Sequence, residues 1–154
     1  MSLLNIKIGD QAPEIFNAVV EIPKDSQNKY EIDKKTGMVY LDRVLYSPMH
    51  YPADYGFIPE TKSEDGDSAD VMILGNDPLF PGCVVRVRPI GLLKMVDGGE
   101  QDNKILGVQA DNPRFDRSRF IIACKVLGRP LPICSIVPFL ATECVSLEQM
   151  TWAL

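Results

Sequence analysis

Proline and glycine stand in nearly every gap between the apolar runs of the first 116 residues, as Pro52, Gly56, Pro59, Pro78 and Pro81-Gly82 show. Proline lacks an N–H and fixes φ, and glycine has no Cβ, so each run must end within a few residues. No long helical stripe develops between these breaks. Residues 18–22 and 30–33 read as short strands, and the turn Lys34-Lys35-Thr36-Gly37 followed by residues 38–45 predicts a hairpin. Residues 71–74 form an apolar run of the kind buried on both faces. Residues 83–87 alternate, with Val85 and Val87 on one side and Arg86 and Arg88 on the other. Residues 90–95 and 105–108 complete the set. Many short strands joined by turns predict a mainly β (α+β) domain, a small closed or nearly closed barrel.

The 154 residues suffice for one domain that folds without disulfide or metal staples. A net charge of -5 disfavours non-specific contact with nucleic acid, though metal ions can mediate between an acidic protein and a polyanion. The N-terminus has no basic region followed by an apolar run, so no secretory signal is expected, and no stretch has the length of a membrane span. Cys83, Cys124, Cys134 and Cys144 show no CxxC spacing, which favours reduced thiols in the cytoplasm over a zinc site. Texture changes near Asp116. Residues 1–116 hold 19 acids and 12 bases, for -7, while residues 117–154 hold 2 acids and 4 bases, for +2. The expected organisation is a barrel domain over 1–116 and an atypical tail over 117–154, packed on that domain or extending from it.

Two acidic clusters carry the chemistry. Glu64-Asp65-Gly66-Asp67-Ser68-Ala69-Asp70 precedes the apolar run at 71–74 and places four carboxylates in seven residues. Such charges are tolerated when solvated or when a cation neutralises them, and hard oxygen ligands suit magnesium or manganese. An EF-hand is a poor match, because Asn76 stands where its terminal glutamate would be. Alone, such a loop is more often a solvated turn than a metal site. The second cluster, residues 97–104, reads either as a hairpin loop turning at Gly98-Gly99 or as carboxylates Asp97 and Asp102 facing the first cluster. Two clusters at strand ends could hold several divalent ions and activate water toward a phosphoryl group. Lys29, Arg43, Tyr51 and Tyr55 are available to a polyanion, although each taken singly fits a solvated face or a core position. His50, the lone histidine, reads as structural. The residues alone point to a metal-dependent, phosphate-handling barrel.

Together, the stretches EIPKDSQNKYEIDKKTG, LDRVLYSPMHYPADYGFIPET, EDGDSADVMIL, PLFPGCVVRVRPIGLLKMVD, GEQDNKILGV and DNPRF resemble the family I soluble inorganic pyrophosphatases, from about residue 21 to 115. The resemblance implies an OB-like five-stranded barrel with flanking helices and, in bacterial members, a homohexamer. It implies magnesium-dependent hydrolysis of pyrophosphate to two phosphates, with manganese or another divalent ion as substitute. By position, Asp65, Asp70, Asp97 and Asp102 would ligate the metal ions, and Asp67 would be the general base. Lys29, Arg43, Tyr55 and Lys104 would hold pyrophosphate oxygens, and Glu21, Glu31 and Tyr51 would support the site through hydrogen bonds.

Three departures accompany the resemblance. Ser68 stands where the family usually has proline, and Gly98 where it usually has an acid. Residues 117–154 match none of the family's C-terminal part, with its long helix and phosphate-contacting Tyr-Lys pair; no tyrosine follows Phe115. The C-terminal helix is thus expected to be missing or altered. A shifted reading frame or truncation in the gene is one account, and family-like codons in another frame past Asp116 would support it. The alternative function is an inactive relative that binds divalent metal or phosphate. A third class, an OB-like module for single-stranded nucleic acid, requires a basic groove that a charge of -7 over residues 1–116 does not provide.

Overall fold

The computed structural model describes residues 5–33, 35–63, 66–115 and 141–146. The strands, in chain order, are β1 Phe16–Ile22, β2 Asn28–Ile32, β3 Val39–Val44, β4 Asp54–Phe57, β5 Asp70–Leu74, β6 Val84–Asp97, β7 Glu100–Gln101, β8 Lys104–Gln109 and β9 Ala141–Ser146. A 3-10 turn lies at Pro113–Phe115. No α-helix occurs among the described residues, so the flanking helices that the resemblance implies have no counterpart there. The expected C-terminal helix region lies largely outside the described residues; the part within them is β9, which pairs antiparallel with β6.

Five strands are bonded in a closed ring, in the order β1-β4-β5-β8-β6, with β6 returning to β1 through Phe16↔Val87 and Val19↔Val84. Closure leaves no unpaired edge among these five, which removes the hazard that an open sheet carries. The predicted hairpin forms as β2 and β3, a separate two-stranded unit whose register sets Lys29 opposite Arg43. The run at 71–74 is buried on both faces, as its composition predicts. Val71 and Ile73 pack with Phe16, Ala18, Val20, Ile58 and Val87, while Met72, pointing the other way, packs with Ala53, Leu93, Met95 and Leu106. Each of these side chains larger than alanine contributes roughly 1.5–3 kcal/mol by leaving water.

The sequence marks two strands on either side of Pro89, and the structure joins them into the 14-residue β6. The register against β8 slips between Pro89 and Gly91, so a bulge absorbs the proline that cannot donate to the ladder. Two glycine positions are required by geometry. At Gly56 a Cβ would stand 1.9 Å from the Val19 carbonyl oxygen, so only glycine lets β4 approach β1. Gly98 and Gly99, with φ of 59° and 93°, form the two-residue turn between β6 and β7.

Candidate active site

A cavity of about 290 Å³ opens where the ring meets the β2–β3 hairpin. Its lining includes Glu21 from β1, Lys29 and Glu31 from β2, and Tyr55 from β4. Asp67, Asp70 and Asp102 line it as well, with Ser63, Ser68, Gln101 and Asn103 between them.

The buried wall follows from strand register. β5 and β8 run parallel with Asp70 opposite Lys104, which brings together residues 34 apart in sequence. Lys104 Nζ donates to both Asp70 and Asp102, and its side chain is only 8% exposed. The same ammonium lies 5.5 Å from the centre of the Tyr55 ring. Tyr55 donates its hydroxyl to Asp70 Oδ2 at 2.5 Å. Burial first, and the negative charge of Asp70 second, push the Tyr55 phenol far above its ordinary range, so it remains a donor. Tyr51 meets Tyr55 edge to face at 5.8 Å and is itself raised, mainly by burial.

The hairpin wall is wetter. Lys29 Nζ contacts Glu31 at 2.6 Å and Asp42 at 3.2 Å, with a quarter of its side chain exposed. Burial works against its charge, but the two carboxylates together outweigh burial and raise its pKa. Glu21 joins the walls, because its Oε1 accepts the Ile32 amide at 2.9 Å and so fastens β2 to β1. Burial pushes its carboxyl up to about 7; the Ile32 bond opposes this, and Asp70 and Glu31 add to it.

Asp67 stands exposed in the loop before β5, where its backbone carbonyl accepts the Ser63 amide at 2.6 Å. The structure thus brings Glu21, Lys29, Glu31, Tyr55, Asp67, Asp70 and Asp102 to one cavity, with Lys104 behind two of them. Arg43 and Asp97 are exposed and do not line it, and Arg43 Nε is 3.9 Å from Asp42. Tyr51, packed against Tyr55, is also outside the lining. Asp65 lies outside the described residues. Sequence reasoning left out Asp42 as a partner of Lys29, although its place beside Arg43 on an alternating strand was a usable signal.

The donor set is hard oxygen, which suits magnesium. Asp70 and Asp102 already gather around one cation, the Lys104 ammonium, so this corner is electrostatically arranged for positive charge. Among the described residues no three possible ligands converge on a single point. Asp70 and Asp102 fit as a pair, with Asp67 in the same lining.

A closed five-strand ring whose mouth is lined by carboxylates, a lysine and a phenol defines a polyanion-handling β protein. The profile of the inorganic pyrophosphatase family matches residues 18–126, and the chain belongs to that family. It is 52% identical over 111 residues to a soluble inorganic pyrophosphatase of Solanum tuberosum, covering 72% of this chain and 53% of that protein. It is 54% identical over 108 residues to the inorganic pyrophosphatase of Geobacillus stearothermophilus, covering 70% and 66%. The crystal structure of inorganic pyrophosphatase from Thermus thermophilus superposes with a TM-score of 0.72 at 48% identity, covering 75% of this chain and 67% of that one. The chain spans about half the length of the plant relatives it matches. No helix among the described residues is long and apolar enough to cross a membrane.

Proposed function

We propose that this chain hydrolyses inorganic pyrophosphate to two phosphates in the cavity between the ring and the hairpin. The supporting observation is the convergence of Tyr55, Asp70 and Lys104 from three strands, joined by Asp102 from the link before β8, with Lys29 on the hairpin side. We read the ring as the OB-like barrel of the family resemblance. Water attacks one phosphorus, the bond from that phosphorus to the bridging oxygen breaks, and the electron pair leaves with the second phosphate. Asp67 accepts the proton of the attacking water. Lys29, Lys104 and the Tyr55 hydroxyl hold the phosphoryl oxygens, and the lysines favour the charge that gathers on the leaving group. Arg43, one strand away on β3, would reach the same anion by a side-chain rotation. Asp65, Asp70, Asp97 and Asp102 would hold magnesium ions, which when bound cancel substrate charge and acidify water. The expected assembly is a homo-oligomer, a hexamer by resemblance to bacterial members.

Phosphate release from pyrophosphate, with and without magnesium, tests the reading when the wild type is purified beside Asp67→Asn. Magnesium-dependent release that falls at least about 100-fold in the variant is expected for a lost general base. Equal, negligible release from both would leave a relative that binds metal or phosphate without turnover.

A further inference from the structure

Outside the cavity, the structure holds one acidic side chain in an unusual place. Asp54 opens β4 and is fully buried. Its Oδ1 accepts two backbone amides from distant segments, Lys24 at 2.8 Å and Leu79 at 3.0 Å. Its Oδ2 has no partner among the described residues. A buried carboxyl with half its hydrogen-bonding capacity unused is unfavourable for folding alone. Lys24, Asp25 and Cys83 are the charged or titratable groups that act on it or feel it.

The two amides belong to connections that do not themselves line the cavity but follow strands that do. Lys24 lies in the link that carries the chain from β1 into β2, where Lys29 and Glu31 stand. The link is tied further to the residues before Asp54: the Asp25 amide donates to the Tyr51 carbonyl at 2.8 Å, and the Tyr51 amide to the Ser26 carbonyl at 3.0 Å. Leu79 lies in the connection from β5 to β6, and Lys24 Nζ reaches the Asn76 carbonyl of that connection at 3.2 Å. Asp54 is therefore the point where three chain segments meet, immediately before Tyr55, whose hydroxyl binds Asp70.

We infer that Asp54 is a positioning residue for the pyrophosphate pocket: by clamping the Lys24 and Leu79 amides it sets the Lys29–Glu31 wall against the Tyr55–Asp70 wall. It is not among the residues that line the cavity, and it acts through the backbone amides it accepts. This inference rests on the proposed function. A displacement of about 1 Å in such a wall weakens both binding and turnover, with binding affected first because Lys29 is a substrate-holding group.

The test uses the full chain as wild type, Asp54→Ala and Asp54→Asn. Amide hydrogen exchange is read at Lys24 and Leu79, magnesium pyrophosphate binding by calorimetry, and KM and kcat by phosphate release. Asp54→Ala is expected to speed exchange at both amides at least about tenfold and to weaken pyrophosphate binding about tenfold, with KM rising more than kcat falls. Asp54→Asn keeps an acceptor oxygen for both amides and is expected to bind within about twofold of wild type. Wild-type affinity in Asp54→Ala despite faster exchange would overturn the inference and leave a purely structural clamp. An Asp54→Asn protein as impaired as a displaced wall predicts would also overturn it, and that variant decides the matter if Asp54→Ala does not fold. A wild type that binds no pyrophosphate overturns the functional reading, and this inference with it, whereas the other two outcomes leave that reading standing.

Discussion

Two lysines, Lys29 in the pocket lining and Lys104 behind it, each stand between a pair of carboxylates, and they differ in what surrounds them. Lys104 sits on ring strand β8 with 8% of its side chain exposed, held by Asp70 and Asp102. Lys29 sits on the hairpin, a quarter exposed, between Glu31 and Asp42. β3, which backs Lys29, is exposed at all six residues, whereas β5, which backs Lys104, buries Val71, Met72 and Ile73. The same trio of charges has different consequences in the two settings. Near water, an ion pair is screened and contributes little; in a packed wall, removing one partner strands the others. The buried cluster therefore couples site and fold, while the open one can serve binding with little effect on stability.

Lys104→Ala strains this contrast most. It leaves Asp70 and Asp102 facing each other, and is expected to lower unfolding stability by about 2 kcal/mol, the usual loss for a buried pair reduced because both acids are partly exposed. Urea titration measures this, and magnesium should raise the melting temperature of the variant more than that of wild type.

Glu21 supplies a pH test of similar or slightly smaller size. Its folded pKa of about 7 lies above the unfolded carboxylate value, so the folded state binds the extra proton. The sign follows: this contribution is fully present below about pH 4, and is lost as pH rises through about 7. A shift of that size corresponds to about 3 kcal/mol, reduced to about 2 because the carboxyl is still partly exposed, so stability should fall by about that much between those limits, and Glu21→Gln should flatten the slope. A slope unchanged in the variant would assign it to other groups.

Tyr55→Phe removes one hydroxyl from Asp70 and is expected to lower stability by about 1 kcal/mol and phosphate release about tenfold. Lys29→Ala sharpens the contrast from the other side. Its effect on urea stability should stay within about 0.5 kcal/mol, while pyrophosphate affinity falls at least about tenfold. If Lys29→Ala destabilised as much as Lys104→Ala, exposure would not be the property that separates the walls.

Much of the fold is legible along the chain. The turn at residues 34–37 predicts the β2–β3 hairpin, and Gly98-Gly99 the tight turn after β6. Both are local, set by residues within a few positions of one another. The length of β6 is not legible, because Pro89 reads as a stop and only a bulge against β8 lets the strand continue. The site divides in the same way. The acidic loop around Asp67 and Asp70 announces itself by charge density. The roles of Lys29, Arg43, Tyr55 and Lys104 came from the family motifs, since isolated lysines and tyrosines carry no positional signal. Arg43 and Asp97 also occupy motif positions, and the structure places both at exposed positions outside the cavity lining.

By itself the sequence determined the mainly β character and the turn positions, because alternation, proline and glycine act through the backbone of the residue that carries them; the family came from its motif stretches. Only the tertiary structure decided that Lys104 meets Asp70, since that contact exists through the parallel pairing of β5 with β8, possible once the ring has closed. It also decided which of two similar charge clusters is buried, because burial depends on what packs around a strand.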